Sequence, residues 1–395
     1  MKPLDVIVVG GGMVGLSAAL MAARQGLQVA LVEAHAPKTW QREQPDLRVV
    51  ALALDNQALI DSFGLWQDVL ARRAFPYSAM TVFDAVHSSP LRFNAGDLGR
   101  PYLGHILEND VLVEVLWQAV VQEPNIHLYC PDKIGSMHES ESEVRIGLQR
   151  GVELSARLAI GADGASSRVR DLLGIGVDEK DYGQKGMVAF VHTEIGHQNT
   201  AWQRFLDTGP LAFLPFGDHC CSIVWSLPQA EADRLLQTEP ETFCHALDSA
   251  FAGTLGKTRL VSERAVFPLR RRLAKNMIQG RTLLLGDAAH PMYPIGSNGA
   301  SQAIIDGLVL ADALAQAGVS AGLARYEAER RPRTSQIVLS NRKHGPERVM
   351  DMAEQRAPSG FTDVNDVFAP GELEEVAAQY RQLAGFDLAS ILKGG

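Results

Sequence analysis

The sequence predicts an α/β fold in which a Rossmann-type dinucleotide-binding domain is interleaved with a β-sheet substrate domain and followed by a helical C-terminal segment. Three observations predict it. The apolar run Val6-Ile7-Val8-Val9 enters Gly10-Gly11-Gly12-Met13-Val14-Gly15, a G-x-G-x-x-G turn between a buried-type strand and a helix. The texture between 185 and 267 is β rather than alternating β and α, in a block too large to be a loop. Thr282-Leu283-Leu284-Leu285 then returns to a buried parallel strand that ends at Gly286-Asp287.

Taken in order, the first 35 residues read as strand, helix, strand, and the second strand, Val29 to Val32, ends in an acid, Glu33. A helix is expected over 56–72, interrupted by Gly64, then short alternating segments over 76–105 such as Met80-Thr81-Val82-Phe83. Residues 109–121 are helical in period, with Leu112, Leu116 and Val120 on one stripe. Strand patterns follow around Val144 to Leu148 and Leu158 to Ile160, the latter ending in Gly161-Ala162-Asp163-Gly164. One strand is expected over 187–195. Leu211-Ala212-Phe213-Leu214 and Ser222-Ile223-Val224-Trp225 form a hairpin across Gly217-Asp218. The last helix is expected over 301–317, with Ile304, Leu308, Ala311 and Ala315 buried, before a polar, partly helical tail. The domains are therefore expected as 1–75, 106–180 and 268–340 for the dinucleotide-binding unit. Residues 76–105 and 181–267 form the substrate unit, and 341–395 the C-terminal helical segment.

Composition narrows the function classes. The chain has 395 residues, more than one ordinary hydrophobic core accommodates. Charged residues are 21% and the apolar set 46%, a globular balance. A net charge of −9 without a long basic stretch argues against nucleic acid as a partner. No uninterrupted apolar segment approaches the roughly 18 residues that cross a bilayer, and Met1 runs almost directly into the first strand, so no signal peptide is expected. Cys130, Cys220, Cys221 and Cys244 lack C-x-x-C spacing and read as reduced thiols. The 11 histidines include no metal-ligand spacing, so no metal site is expected.

Gly10 permits the tight turn, Gly12 lets main-chain N–H groups of Met13 and Val14 approach a pyrophosphate, and Gly15 lets helix and strand pack closely. The helix N-terminus adds unpaired donors and a positive dipole end. Glu33 stands where a carboxylate accepts from a ribose hydroxyl. An adenine dinucleotide binds here. Two further signals follow strands: Gly161-Ala162-Asp163-Gly164-Ala165-Ser166-Ser167-Arg168-Val169-Arg170, and Gly286-Asp287-Ala288-Ala289-His290-Pro291. Asp163 and Asp287 read either as ligand contacts at strand ends or as ordinary turn carboxylates, and His290 as a structural hydrogen-bonding residue. Pro294-Ile295-Gly296-Ser297-Asn298-Gly299-Ala300-Ser301 precedes a helix. Its glycines allow close approach of main chain to a planar ring, and the helix N-terminus favours developing negative charge. The alternative there is a glycine-rich turn capped by Ser or Asn.

The three motifs, in this order and separation, resemble the fingerprints of the FAD-dependent aromatic monooxygenases, the p-hydroxybenzoate hydroxylase-like flavoproteins, over nearly the whole chain. The resemblance implies a Rossmann-type FAD-binding domain interleaved with a β-sheet substrate domain. It implies non-covalent FAD on Gly10, Gly12, Met13, Val14 and Gly15, with Glu33 at the adenosine ribose. Arg48, in Asp46-Leu47-Arg48-Val49, matches an arginine lying along the FAD phosphates; a surface ion pair is its alternative. Asp163 belongs to a motif associated with FAD and the nicotinamide donor. Gly286 and Asp287 reach the ribitol or phosphate region, and Pro294, Gly296, Gly299 and Ala300 approach the flavin ring. Asn109 falls where relatives carry Arg or Gln beside the flavin, and reads equally as a helix N-cap.

The implied reaction is hydroxylation of an electron-rich aromatic ring by O2 through a flavin C4a-hydroperoxide, with NADH or NADPH as a transient electron donor. No second G-x-G-x-x-G exists for that donor, and no catalytic acid or base is assigned. Phe213, Trp225 and Tyr293 are candidates to line the aromatic pocket, with core packing as the alternative for Phe213 and Trp225. Up to Leu285, phrases such as Phe63-Gly64-Leu65-Trp66 and Phe267-Pro268-Leu269 resemble the ubiquinone-biosynthesis hydroxylases. From Gly286 onward, the loop and tail resemble phenazine- and salicylate-type hydroxylases. The central β block points to a ubiquinone-pathway phenol. A soluble aromatic acid is the alternative substrate, and a non-catalytic flavin-binding accessory protein the alternative class. The expected location is the cytoplasm, with peripheral association with the inner membrane or a biosynthetic complex.

Overall fold

A computed structural model describes residues 3–84, 90–292 and 298–340, together with positions 356 and 367. Its first sheet contains the strands Ile278–Gln279, Thr282–Leu284, Glu153–Gly161, Leu4–Val9, Val29–Val32 and Ile126–Tyr129, side by side in that order. All neighbours are parallel except the Ile278–Gln279 edge, which turns back on Thr282–Leu284. Leu4–Val9 and Val29–Val32 are apolar throughout apart from Asp5, as strands covered on both faces must be. The helix Met13–Arg24 and the long C-terminal helix pack over this sheet, and their contact is tight enough that a Cβ on Gly307 would lie 2.5 Å from Met21 Cε. The strands Ile134–Glu139 and Val144–Leu148 extend the sheet as an antiparallel flap on Glu153–Gly161.

Register decides what this sheet can do. Val9 pairs with Val32 on one side and Gly161 on the other, and Gly161 pairs with Leu284. Four strand ends are therefore level, and the residues that follow each of them emerge together at the carboxyl edge. Open α/β sheets bind ligands at that edge.

The second sheet orders Thr258–Leu260, Val177–Thr193, Cys220–Pro228, Leu211–Pro215, Thr200–Phe205, Ala79–Asp84 and Leu91–Asn94, with Ala265–Ala274 also paired to Val177–Thr193. One face is sealed by the helices Gln229–Gln237 and Pro240–Ala250 over Met187, Leu211, Phe213, Ile223 and Trp225. A small sheet of Val49–Ala53, Gly104–Glu108 and Phe75–Tyr77 lies against the opposite face, where Ala51 and Ile106 meet Phe190 and Phe216.

Several elements differ from expectation. The helix expected over 56–72 is two, Leu54–Ser62 and Trp66–Arg72, because Gly64 takes φ +72° between them. The strand expected from 187 begins at Val177. Its charged first half stays exposed but is paired across strands: Arg271 to Asp178 at 2.7 Å, Arg272 to Glu179 at 3.1 Å and Arg270 to Asp181 at 3.2 Å. The boundaries 180/181 and 267/268 accordingly fall inside the strands Val177–Thr193 and Ala265–Ala274. The last helix spans Asn298–Ser340 with a break at Gly318. Its buried stripe is Ile304, Ile305, Val309, Leu310 and Ala313, while Ala315 is exposed. By length and composition this helix is long and apolar enough to cross a membrane. It nevertheless carries fully buried Asp306 and Arg330 within the fold. The C-terminal segment 341–395 lies outside the described residues apart from 356 and 367.

Candidate active site

The glycine turn has the geometry its residues dictate. Gly10 takes φ +113°, and a Cβ there would fall 2.3 Å from Ala162 O. A Cβ on Gly15 would fall 1.9 Å from Gly10 O, so only glycine lets the helix sit this close to the strand. Gly12 is different: it is exposed, and a Cβ would meet nothing within 4 Å. It caps the helix Met13–Arg24 without a side-chain hydrogen bond, and no acid occupies the first turn. The first N–H groups of that helix, those of half-buried Met13 and Val14 among them, thus face open space beside a positive dipole end. Glu33 lies across this opening, accepting from Gly11 N and, at 3.0 Å, from His35 N. An open, uncapped cradle with a carboxylate beside it fits the diphosphate and ribose of FAD.

The second and third motifs are stitched to each other. Arg170, buried, donates through Nη1 to Ala288 O at 3.0 Å and through Nη2 to Ala165 O at 3.1 Å. Both oxygens of Asp163 serve their own loop, accepting from Ser167 Oγ, Arg168 N at 2.7 Å and Val169 N at 3.0 Å. Asp163 therefore shapes the turn before Arg168–Leu172. Asp287 presents accessible surface, yet the protein around it raises its carboxyl pKa by desolvation, against the opposing charge of His290.

Beneath Asp287 sits a buried network absent from the sequence reading. Asp306 Oδ2 meets His290 Nε2 at 2.6 Å and Gly286 N at 3.0 Å. Its Oδ1 accepts from Arg330 Nε at 2.7 Å, and Arg330 Nη2 reaches Gln302 Oε1 at 2.8 Å. Burial would raise the Asp306 pKa, but His290, Arg330 and the Gly286 N–H outweigh it and hold the carboxyl at about 2. The signal was a lone acid within the apolar run Ile304-Ile305-Asp306-Gly307-Leu308. His290 has the structural role expected of it.

Arg48 and Asn109 are brought together. Asn109 N donates to Arg48 O at 2.8 Å, and Asn109 Nδ2 to Asp110 Oδ1 at 3.2 Å. The Arg48 side chain is 70% exposed and pairs with Asp46 at 3.2 Å and Asp110 at 3.0 Å. The N-cap of the helix Asn109–Gln122 is Glu108 rather than Asn109. Gly299 and Ala300 open the last helix half-buried, and a Cβ on Gly299 would meet only Met292 Cβ at 4.0 Å. Tyr293, Pro294 and Gly296 lie outside the described residues. Phe213 and Trp225 take the core-packing alternative. Alternation along their strands turns both to the helix-covered face, where Phe213 packs on Phe251 at 4.2 Å between centroids.

The family described as FAD binding domain matches residues 3–341. The 3-demethoxyubiquinol 3-hydroxylase of Escherichia coli is 34% identical over 337 residues, covering 83% of this chain and 86% of that protein. The chain belongs to the FAD-dependent aromatic monooxygenases. Ubiquinone hydroxylase UbiL of Rhodospirillum rubrum is 33% identical, covering 84% of this monooxygenase and 78% of the relative. The fold is that of p-nitrophenol 4-monooxygenase PnpA from Pseudomonas putida (TM-score 0.75, 20% identity, 97% and 99% covered). It is also that of PqsL from Pseudomonas aeruginosa (TM-score 0.72, 23% identity, 88% and 96% covered).

Proposed function

We propose that this monooxygenase hydroxylates a phenol of the ubiquinone-biosynthesis type, using NADH or NADPH as the electron donor. The observation that carries the reading is the level register of Val32, Val9, Gly161 and Leu284, which delivers three motifs to one crevice. The Gly10–Gly15 turn, with Met13 and Val14, holds the FAD pyrophosphate. Glu33 accepts from the ribose, Arg48 neutralises phosphate charge, and Gly286 and Asp287 line the ribitol side. Asp163 contributes by shaping its loop, and Asn109 by fixing the Arg48 backbone. Bound there, FAD would accept two electrons from the nicotinamide and pass them to O2. The chain binds, orients and keeps water out. Gly299 and Ala300 lie at the N-terminus of the last helix, whose N–H groups would favour negative charge on a ring placed beside them. Ala51, Ile106, Phe190 and Phe216 provide the apolar wall between the two lobes.

The relatives named as ubiquinone hydroxylases support the substrate class; for such a phenol the proposed place of action is the cytoplasm, peripheral to the inner membrane or to a biosynthetic complex. The test supplies purified protein with FAD, O2 and either NADH or NADPH. A panel of polyprenyl phenols, quinols, salicylate and phenazine carboxylate is scored for hydroxylated product by mass spectrometry and for uncoupled peroxide. Product from the phenols with little peroxide supports the reading. Coupled product from salicylate or phenazine carboxylate alone refutes it in favour of a soluble aromatic acid.

A further inference from the structure

Residues 33–48 run without helix or strand between the second parallel strand and the small sheet, with Arg48 at their far end. A stretch of that length needs anchors for its exposed main chain. Glu114 Oε2 accepts from Trp40 N at 3.2 Å, and Glu108 supplies further anchors from the N-cap of Asn109–Gln122, where its side chain is 0% exposed. One oxygen accepts from Trp40 Nε1 at 3.1 Å and pairs with Arg73 Nη1 at 3.2 Å; the other accepts from Asp46 N at 2.8 Å. Asp46 then accepts from Arg48 N at 3.0 Å and Arg48 Nε at 3.3 Å. The Arg73 guanidinium lies 5.3 Å from the Trp40 ring centroid, closing the clamp from above. The carboxylate therefore grips both ends of residues 40–46, one contact short of Arg48.

A buried carboxylate is an unfavourable way to hold a loop unless a defined geometry is needed, because apolar packing does so without desolvating a charge. We propose that Glu108 is a positioning residue for the cofactor site, fixing the loop so that the Arg48 guanidinium is presented to the FAD phosphates. The inference rests on the assignment of Arg48 to those phosphates. Glu108 touches no cofactor itself; its effect passes through Arg48.

The test measures FAD dissociation constants of the apo-protein by flavin fluorescence across a series of salt concentrations, with melting of the apo-forms alongside. Wild type, R48A, E108Q and the double variant are compared. Losing one charge-assisted contact in R48A is expected to weaken FAD binding about ten-fold and to flatten its salt dependence. E108Q is expected to weaken binding about three- to ten-fold, flatten the salt dependence likewise, and add nothing further in the R48A background beyond about two-fold. Full multiplication of the two effects overturns the proposal, since Glu108 would then act independently of Arg48. Wild-type affinity in R48A overturns the Arg48 assignment itself, whatever E108Q does. If E108Q does not fold, W40F takes its place: it removes one donor to Glu108, keeps a ring beneath Arg73, and is expected to show the same coupling.

Discussion

Adding one methyl group at Gly12 and at Gly15 separates cofactor binding from folding. Gly12 has φ −78° and ψ 177°, a conformation any residue adopts, and a Cβ there meets nothing within 4 Å. Gly12→Ala is therefore expected to cost the apo-protein less than about 1 kcal/mol, the ordinary difference between Gly and Ala at an N-cap. On the proposed assignment, the same methyl group stands in the space where main-chain N–H groups would meet the diphosphate. Losing one hydrogen bond to a charged oxygen costs about 1.5–3 kcal/mol, so FAD affinity should fall at least about ten-fold. At Gly15 the methyl group would sit 1.9 Å from Gly10 O, against main chain that cannot move aside alone. Gly15→Ala should then destabilise the apo-protein by about 1–3 kcal/mol through overpacking and lose FAD as well. Urea unfolding of the apo-forms and flavin fluorescence titration measure the two quantities. A Gly12→Ala protein that binds FAD like wild type, or unfolds as early as Gly15→Ala, refutes the assignment of the turn.

Other expectations follow from buried groups. Desolvation lowers the His105 pKa to about 4, so this imidazole is neutral when folded and titrates near 6.5 when unfolded. Its contribution is full above pH 6.5 and is lost as pH falls toward 4, an effect of about 1–3 kcal/mol; His105→Gln should flatten that part of the urea stability profile. Asp306→Asn leaves Arg330 buried without its counter-charge and should cost about 3–5 kcal/mol in urea unfolding; a loss below about 1 kcal/mol would mean the network is not formed. Burial pushes the Cys221 thiol pKa well up, so iodoacetamide should modify it only at the rate of unfolding, as peptide mapping by mass spectrometry would show.

The parts legible in the sequence were those with a local cause. Val6 to Gly15 declares strand, turn and helix within ten positions, and Leu112, Leu116 and Val120 declare a buried helix stripe. What escaped notice has a nonlocal cause. The charges of Asp178, Glu179 and Asp181 look like an unpaired run until Arg270, Arg271 and Arg272 arrive opposite them on a strand 89 to 93 residues later. Phe213 and Trp225 have the chemistry of a pocket, but which sheet face they occupy depends on helices contributed further along the chain. Glu108 reads as an ordinary residue before a helix; only the return of Trp40, Asp46 and Arg73 makes it a hub.

The pairing of Gly161 with Leu284 also makes a prediction about the order of assembly. The crevice has three of its four strand ends once Val9, Val32 and Gly161 are aligned, yet the Gly286-Asp287 side is added only when Thr282–Leu284 slots beside them after the whole second lobe has been made. Closing so distant a contact is slow. Flavin uptake during refolding is thus a clock for the last stage of tertiary organisation: it should lag secondary-structure recovery and coincide with docking of the final parallel strand.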